Sequence, residues 1–162
     1  MKGIILAGGN ATRLRPCTKI TSKQLLPIYN KPMIYYPLNT LIKAGIDDIL
    51  IIVAPDYAQN FITLFGTLEK FNIKISYKVQ EKPRGLADAF IVGDEFIGDD
   101  NVTMILGDNI FEDDLSEAIR GFKRGGKVFA KKVPDPERFG VVRFDDQMKA
   151  DKIVEKPQEW IS

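Results

Sequence analysis

The sequence predicts a doubly wound α/β fold, a mostly parallel sheet with helices on both faces. Three observations carry this expectation. Short apolar runs alternate along the chain with segments of helical periodicity. The runs hold few polar interruptions, as strands covered on both faces do. No repeat, low-complexity tract or linker breaks the alternation, so residues 1–162 read as a single domain. A chain of that length can bury roughly two-thirds of its unfolded surface.

The first run, KGIILA (2–7), reads as a short buried strand. KPMIYYPLNTLIKAG (31–45) then sets Ile34, Leu38, Leu41, Ile42 and Gly45 at helical spacing. Pro32 suits a first helical position, and Pro37 predicts a late start or a kink. DILIIVAP (48–55) is a second buried strand, and YAQNFITLFGTLEKF (57–71) a helix weakened by Gly66. IKISYKVQ (73–80) alternates as a strand does, and GLADAFIVGDEF (85–96) reads as one helix. NVTMILGD (101–108) is a further buried strand. DDLSEAIRGFKRG (113–125) opens with acids and closes with bases, matching the helix dipole. GKVFAKKV (126–133) reads as another strand, and GVVRFDD with MKADKIVEKP as a hairpin turning at Asp145, Asp146 and Gln147. Right-handed crossovers between parallel strands complete the doubly wound arrangement.

Composition narrows the chemistry. The hydrophobic fraction of 44% and charged fraction of 28% are ordinary for a globular chain. A net charge of +1 gives no field towards nucleic acid or an acidic membrane, so neither is an expected partner. No apolar run approaches the ~18 residues of a membrane span, and Cys17 has no second cysteine to pair with. Both fit a protein of the cytoplasm. Histidine is absent altogether, which removes imidazole bases, Ser-His and Cys-His pairs and histidine metal sites. Catalysis would have to run on Lys, Arg, Asp, Glu and backbone amides, which suits groups already charged, such as phosphates.

In parallel sheets ligands bind beyond the carboxyl ends of the strands, and three loops there carry unusual residues. The first is LAGGNATRLRPCTKITSKQLLP, opening with Gly8 and Gly9. These let backbone amides approach a ligand, with Arg13 and Lys23 adding a guanidinium fork and a point charge for phosphate oxygens. A strand-ending turn before a solvated basic loop explains the same residues. It is neither a Walker loop nor a dinucleotide fingerprint, which sets aside a Rossmann dehydrogenase. The second, VQEKPRGLADAF (79–90), offers Gln80 for a base edge and Gly85 at a helix start, although Pro83-Arg84-Gly85 could simply form a turn. The third, MILGDNIF (104–111), sets Asp108 directly after a strand, with Gly107 leaving room beside it. Asp108 is a natural Mg²⁺ ligand where phosphates complete the coordination, and an Asx-turn is the alternative. Together the loops read as a nucleoside triphosphate site.

The stretches GGNATRLRPCTKITSKQLLPIYNKPMIYYPL, LGDNIF, DPERFGVV and EKP closely resemble the glucose-1-phosphate thymidylyltransferases of the sugar nucleotidyltransferase family. The resemblance runs over the whole chain and favours the thymidylyl branch over uridylyl and guanylyl relatives. It implies a Rossmann-like nucleotidyltransferase fold and a Mg²⁺-dependent reaction of dTTP with α-D-glucose 1-phosphate, giving dTDP-glucose and pyrophosphate for deoxysugar biosynthesis. By the same resemblance Leu6, Gly8 and Gly9 line the nucleotide, and Ala11, Thr12 and Arg13 lie beside its phosphates. Lys23 and Gln24 serve the phosphates and nearby contacts, Gln80 and Gly85 the thymine, and Asp108 the metal. The catalytic group is Arg13, Lys23 and Asp108. Asn109, Gly140, Glu155 and Lys156 lie along the sugar phosphate; a surface charge pair is the plain reading of the last two.

Two departures stand out. Ala11 occupies a position where the resembled enzymes usually carry glycine, so a positive φ there would strain it. Those enzymes are also longer, and this sequence ends at EKPQEWIS. The resemblance therefore implies a truncated fold, without the later segment and its second metal aspartate, further sugar contacts and part of an oligomer interface. A chain that binds dTTP with Mg²⁺ but forms dTDP-glucose poorly is the expectation. A nucleotide-binding module, or half of a split enzyme completed by a C-terminal chain, is the alternative. The final hairpin, followed by apolar Trp160 and Ile161, predicts a homo-oligomer.

Overall fold

The computed structural model describes residues 1–9, 11–66, 72–82 and 84–159. Pro83, residues 67–71 of the second expected helix, and Trp160 and Ile161 lie outside these. Two compact units divide the chain, Met1–Arg124 and Gly125–Ser162.

The first unit is built on a four-stranded sheet. Its strands are β1 (Lys2–Ala7), β4 (Asp48–Val53), β5 (Lys74–Val79) and β6 (Val102–Leu106), in the order β5-β4-β1-β6. Every neighbouring pair is parallel; β1 runs Gly3↔Ile49 to Ala7↔Val53 against β4, and Lys2↔Val102 to Leu6↔Leu106 against β6. A two-residue antiparallel ribbon, β2 (Pro27–Ile28) with β3 (Lys31–Pro32), precedes the first helix.

Alternation along the strands sends successive side chains to opposite faces. Ile5, Ile49, Ile51 and Val53 pack on one face with Leu38 and Leu41 of α1 (Tyr35–Lys43), Phe61 and Phe65 of α2 (Ala58–Phe65) and Ile119 of α5 (Ser116–Arg120). Ile4, Leu50 and Ile52 pack on the other with Ala89 and Val92 of α3 (Asp88–Val92) and Phe96 and Ile97 of α4 (Asp94–Ile97). Helices thus cover both faces, as the continuous apolar runs require. Pro37 falls in the first turn of α1, where its missing N–H leaves no helical bond unmade. Among the described residues no helix is long and apolar enough to cross a membrane.

Four sequence expectations need correction. Pro32 takes no first helical position: it lies in β3, and α1 begins at Tyr35. Residues 85–96 form two short helices, not one, joined at Gly93. A Cβ on Gly93 would meet Ala89 O at 2.9 Å and Ile4 Cδ1 at 3.0 Å, so a glycine that favours no helix is kept for close packing on the sheet. Helix 113–125 shrinks to Ser116–Arg120, because Asp114 Oδ1 accepts the Ser116 N–H at 2.9 Å and caps the helix from outside. Residues 126–133 form no strand; Val128 and Phe129 stay exposed. Apolar alternation makes a strand only where a neighbour completes the hydrogen-bond ladder, and among the described residues none does.

The second unit contains the expected hairpin, β7 (Gly140–Phe144) paired antiparallel with β8 (Ala150–Glu155). Asp145 Oδ1 closes its turn by accepting the N–H groups of Gln147 and Lys149, each at 2.9 Å. Arg143 pairs with Asp151 across the strands at 2.7 Å, which holds the Asp151 carboxyl below its ordinary pKa.

Between β1 and the ribbon, Ala11 adopts φ 43°, ψ 41°, the left-handed conformation that penalises a side chain. Its carbonyl accepts two bonds that hold it there, from Leu14 N–H at 3.1 Å and Thr18 Oγ1 at 2.8 Å. Glycine would remove the steric penalty while loosening the unfolded chain. Ala11→Gly is therefore expected to raise stability by about 0.5–1 kcal/mol net in urea unfolding. A loss of stability would show that the methyl group packs usefully.

Candidate functional site

β1 and β6 lie side by side, yet the chain leaves β1 for β4 on one flank and reaches β6 on the other. The connections part at this point, and the crevice beyond the strand ends is where such sheets bind ligands. An open cavity of about 250 Å³ occupies it. Gly8, Gly9 and Ala11 reach it from the loop after β1, Gln80 and Gly85 from the loop after β5, and Asp108 from the end of β6. Lys23 and Gln24 enter from the 3₁₀ turn Lys23–Leu25, and Leu6, Leu86 and Leu106 add apolar surface.

Local structure fixes each group. The turn that carries Lys23 and Gln24 is tied to the start of α1, because Ile34 N–H donates to Gln24 O at 2.9 Å and Met33 N–H to Leu26 O at 3.0 Å. Lys23 Nζ donates to Asp108 Oδ2, so the cation and the carboxylate form a direct pair. Both side chains keep about three-tenths of their surface, at 27% and 31%. Gln24 is buried and accepts the Ser22 hydroxyl. Gln80 continues the β5 pairing through its N–H to Val53 O at 2.9 Å, and its Nε2 donates to Asp88 Oδ2 at 2.7 Å.

A Cβ at residue 8 would lie 2.8 Å from Gln80 Oε1, so the loop needs glycine there for close approach. Gly107 is similarly confined by Gln24 Cγ at 2.8 Å, which brings the β6 end against the lysine-bearing turn. Backbone amides, one ammonium, one carboxylate and one side-chain amide thus converge. Such a set can hold a polyphosphate and read a hydrogen-bonding base edge.

Nine of the residues singled out from the sequence meet in this cavity: Leu6, Gly8, Gly9, Ala11, Lys23, Gln24, Gln80, Gly85 and Asp108. Thr12 and Arg13 are exposed on the 3₁₀ turn after Ala11 and do not line it. Asn109, also outside the lining, accepts the Leu106 N–H on Oδ1 at 3.4 Å, a local contact three residues back along the chain. In the second unit, Gly140 pairs in register with Glu155. Lys156 takes φ 46° beside them, its N–H on Phe139 O at 2.9 Å and its Nζ 3.9 Å from Glu155 Oε1. Sequence reasoning missed Leu86, Leu106 and Asp88. Leu106 could have been found as the register partner of Leu6; Asp88 showed only as one acid in a helical first turn.

A family model for nucleotidyl transferases matches residues 2–161. Proteins named glucose-1-phosphate thymidylyltransferase from Neisseria meningitidis and Mycolicibacterium smegmatis are 56% and 50% identical to the chain, each over 98% of it and 56% of their own length. The chain thus spans about half the length of the curated relatives it matches. A crystal structure of a candidate glucose-1-phosphate thymidylyltransferase from Bacillus anthracis superposes with a TM-score of 0.91 at 42% identity, covering 98% of this chain and 65% of that one. A UTP-bound UGPase from Acinetobacter baumannii, at 22% identity and TM-score 0.82 over 96% of this chain and 67% of its own, shares the fold. With the cavity at the sheet's switch point and a family match across nearly every residue, the chain belongs to the nucleotidyl transferase family.

Proposed function

We propose that the chain forms the nucleotide-binding part of a Mg²⁺-dependent transferase joining dTTP and α-D-glucose 1-phosphate to give dTDP-glucose and pyrophosphate. One observation carries this reading. Gly8, Lys23, Gln80 and Asp108 converge at the switch point, in a chain about half identical to relatives bearing that activity's name.

In the proposed reaction an oxygen of the sugar phosphate bonds to the α-phosphorus as the bond to the bridging oxygen of the β-phosphate breaks. The electron pair leaves with pyrophosphate. The attacking phosphate is already anionic, so no general base is needed, in keeping with a chain that has no histidine. What the protein must supply is alignment and neutralisation of charge. Gly8 and Gly9 let the backbone approach the phosphates, and Lys23 adds the cation that meets them inside the cavity. Ala11, Thr12 and Arg13 serve the outer phosphates, Gln24 the adjoining contacts, and Gln80 with Gly85 the base. Asn109, Gly140, Glu155 and Lys156 are assigned to the sugar phosphate.

The metal reading rests on Asp108. Among the described residues no group of three His, Cys, Asp or Glu side chains could hold an ion by itself. A single carboxylate, 31% exposed at an open cavity of about 250 Å³, still fits Mg²⁺, which commonly takes one or two carboxylates and completes its shell with phosphates and water. Bound there, the ion would offset negative charge on the phosphate oxygens.

Titration calorimetry with dTTP and Mg²⁺ is expected to show binding, weakened by roughly 1.5–3 kcal/mol in Lys23→Ala and in Arg13→Ala. Unchanged affinity in either variant would remove that residue from the site. Pyrophosphate release from dTTP should require glucose 1-phosphate; binding without any release would favour a nucleotide-binding module.

Association with a second chain, a copy or a complementing region, is part of the proposal. It is supported by exposed Val128, Phe129, Met148 and Ile153 in the second unit. Light scattering should report a species larger than the monomer, and a clean monomer at high concentration would count against it.

A further inference from the structure

A glutamine side chain has two hydrogen-bonding ends of opposite character, and the end that meets a ligand decides what it selects. In Gln80 that choice is already made inside the protein. Nε2 donates to Asp88 Oδ2 at 2.7 Å, and the two residues are only 5% and 7% exposed. An ionised carboxylate carries acceptors only. Turning the amide over would set Oε1 against Oδ2, two acceptors with no proton between them in a buried place. The orientation therefore follows from chemistry, since a carboxylate partner admits one arrangement.

One of the two Nε2 protons is thus committed, which fixes the orientation of the amide and leaves Oε1 as its free acceptor end. It packs beside Gly8, which lines the cavity with Gln80 itself, and among the described residues none donates to it. Asp88 is held firmly in turn: it lies in the first turn of α3, and its neighbour Ala89 is fully buried against Ile4, Leu50 and Ile52.

We propose that Asp88 is a positioning residue that locks the Gln80 amide with its carbonyl oxygen towards the cavity, so that the site selects a pyrimidine whose ring N3 donates an N–H. Thymine and uracil do so through N3–H. Cytosine presents a lone pair at the same ring position and would face a second acceptor. This rests on the reading of the cavity as a nucleoside triphosphate site, and it adds the residue that sets base choice.

The test uses the full chain with Mg²⁺ and compares dTTP with dCTP by titration calorimetry. Wild type should prefer dTTP by on the order of tenfold or more, the discrimination expected of a well-placed base contact. Asp88→Asn is nearly isosteric, and its amide can accept from Nε2 or donate to Oε1, so both orientations of Gln80 become available. The preference should fall to about threefold or less in this variant. Asp88→Glu, which restores an acceptor-only partner, should recover part of it. A merely structural role would weaken both nucleotides together and leave their ratio unchanged, and that result overturns the proposal.

If the variants do not fold, the wild-type complex with dTTP decides. In ¹⁵N-resolved spectra the Gln80 NH₂ protons should show contacts to Asp88 and none to the thymine ring; contacts to the ring would overturn the assignment. Failure of wild type to bind either nucleotide would overturn the cavity reading and this inference together. Binding of dTTP with selectivity untouched by Asp88→Asn would overturn this inference alone.

Discussion

Parallel pairing is the constraint on which the rest of the first unit depends. Two parallel strands cannot be joined by a tight turn; the chain must cross back over a face of the sheet before pairing again. Every strand of the order β5-β4-β1-β6 therefore ends at the same edge. Residues far apart in sequence meet there because their strands run the same way. Asp108 arrives at the end of β6 and Gln80 at the end of β5, three places away in the order, and Lys23, 85 residues before Asp108, meets it from the 3₁₀ turn Lys23–Leu25. The same rule dictates composition: helices on both faces demand apolar side chains at successive positions of the central strands, hence Ile4, Ile5, Leu50 and Ile51, all buried to 1% exposure or less.

The parts legible in the sequence are those written in local pattern. Three continuous apolar runs and one alternating segment announced four strands, and the acid, amide and glycines directly after them announced the cavity. Where local pattern failed, a neighbour decided. The residues around Val128 and Phe129 have a strand's alternation, but among the described residues no strand pairs with them, and Gly93 interrupts a helical pattern because the sheet leaves no room for a methyl group. Asp88 was invisible for a similar reason. Its sequence context is an ordinary first turn, and its significance lies in a buried contact with Gln80 eight residues earlier. Arg13 and Thr12 show the opposite limit: their proximity to Gly8 and Gly9 in sequence did not bring them into the cavity lining.

The strain at Ala11 and the closeness of Gly8 to Gln80 belong to one device. The loop after β1 must leave the sheet, pass beside a buried amide and turn sharply into the Thr12–Leu14 helix within a few residues. Two hydrogen bonds to a single carbonyl fix the turn, one of them from the buried Thr18 hydroxyl. A turn tied in this way from Ala11 to Thr18 has fewer conformations to give up when a ligand arrives, which favours affinity without further contacts.

The Lys23–Asp108 pair makes the cavity wall its own counter-ion. A bare anion drawn to the ammonium must first part it from the carboxylate, and a bare cation drawn to the carboxylate must part it from the ammonium. Each would leave one charge of the pair uncompensated in a half-buried place. An ion couple that brings both signs replaces each partner in a single exchange. On the proposed reading of the cavity, such a wall would favour a phosphate and a metal arriving together over either one alone.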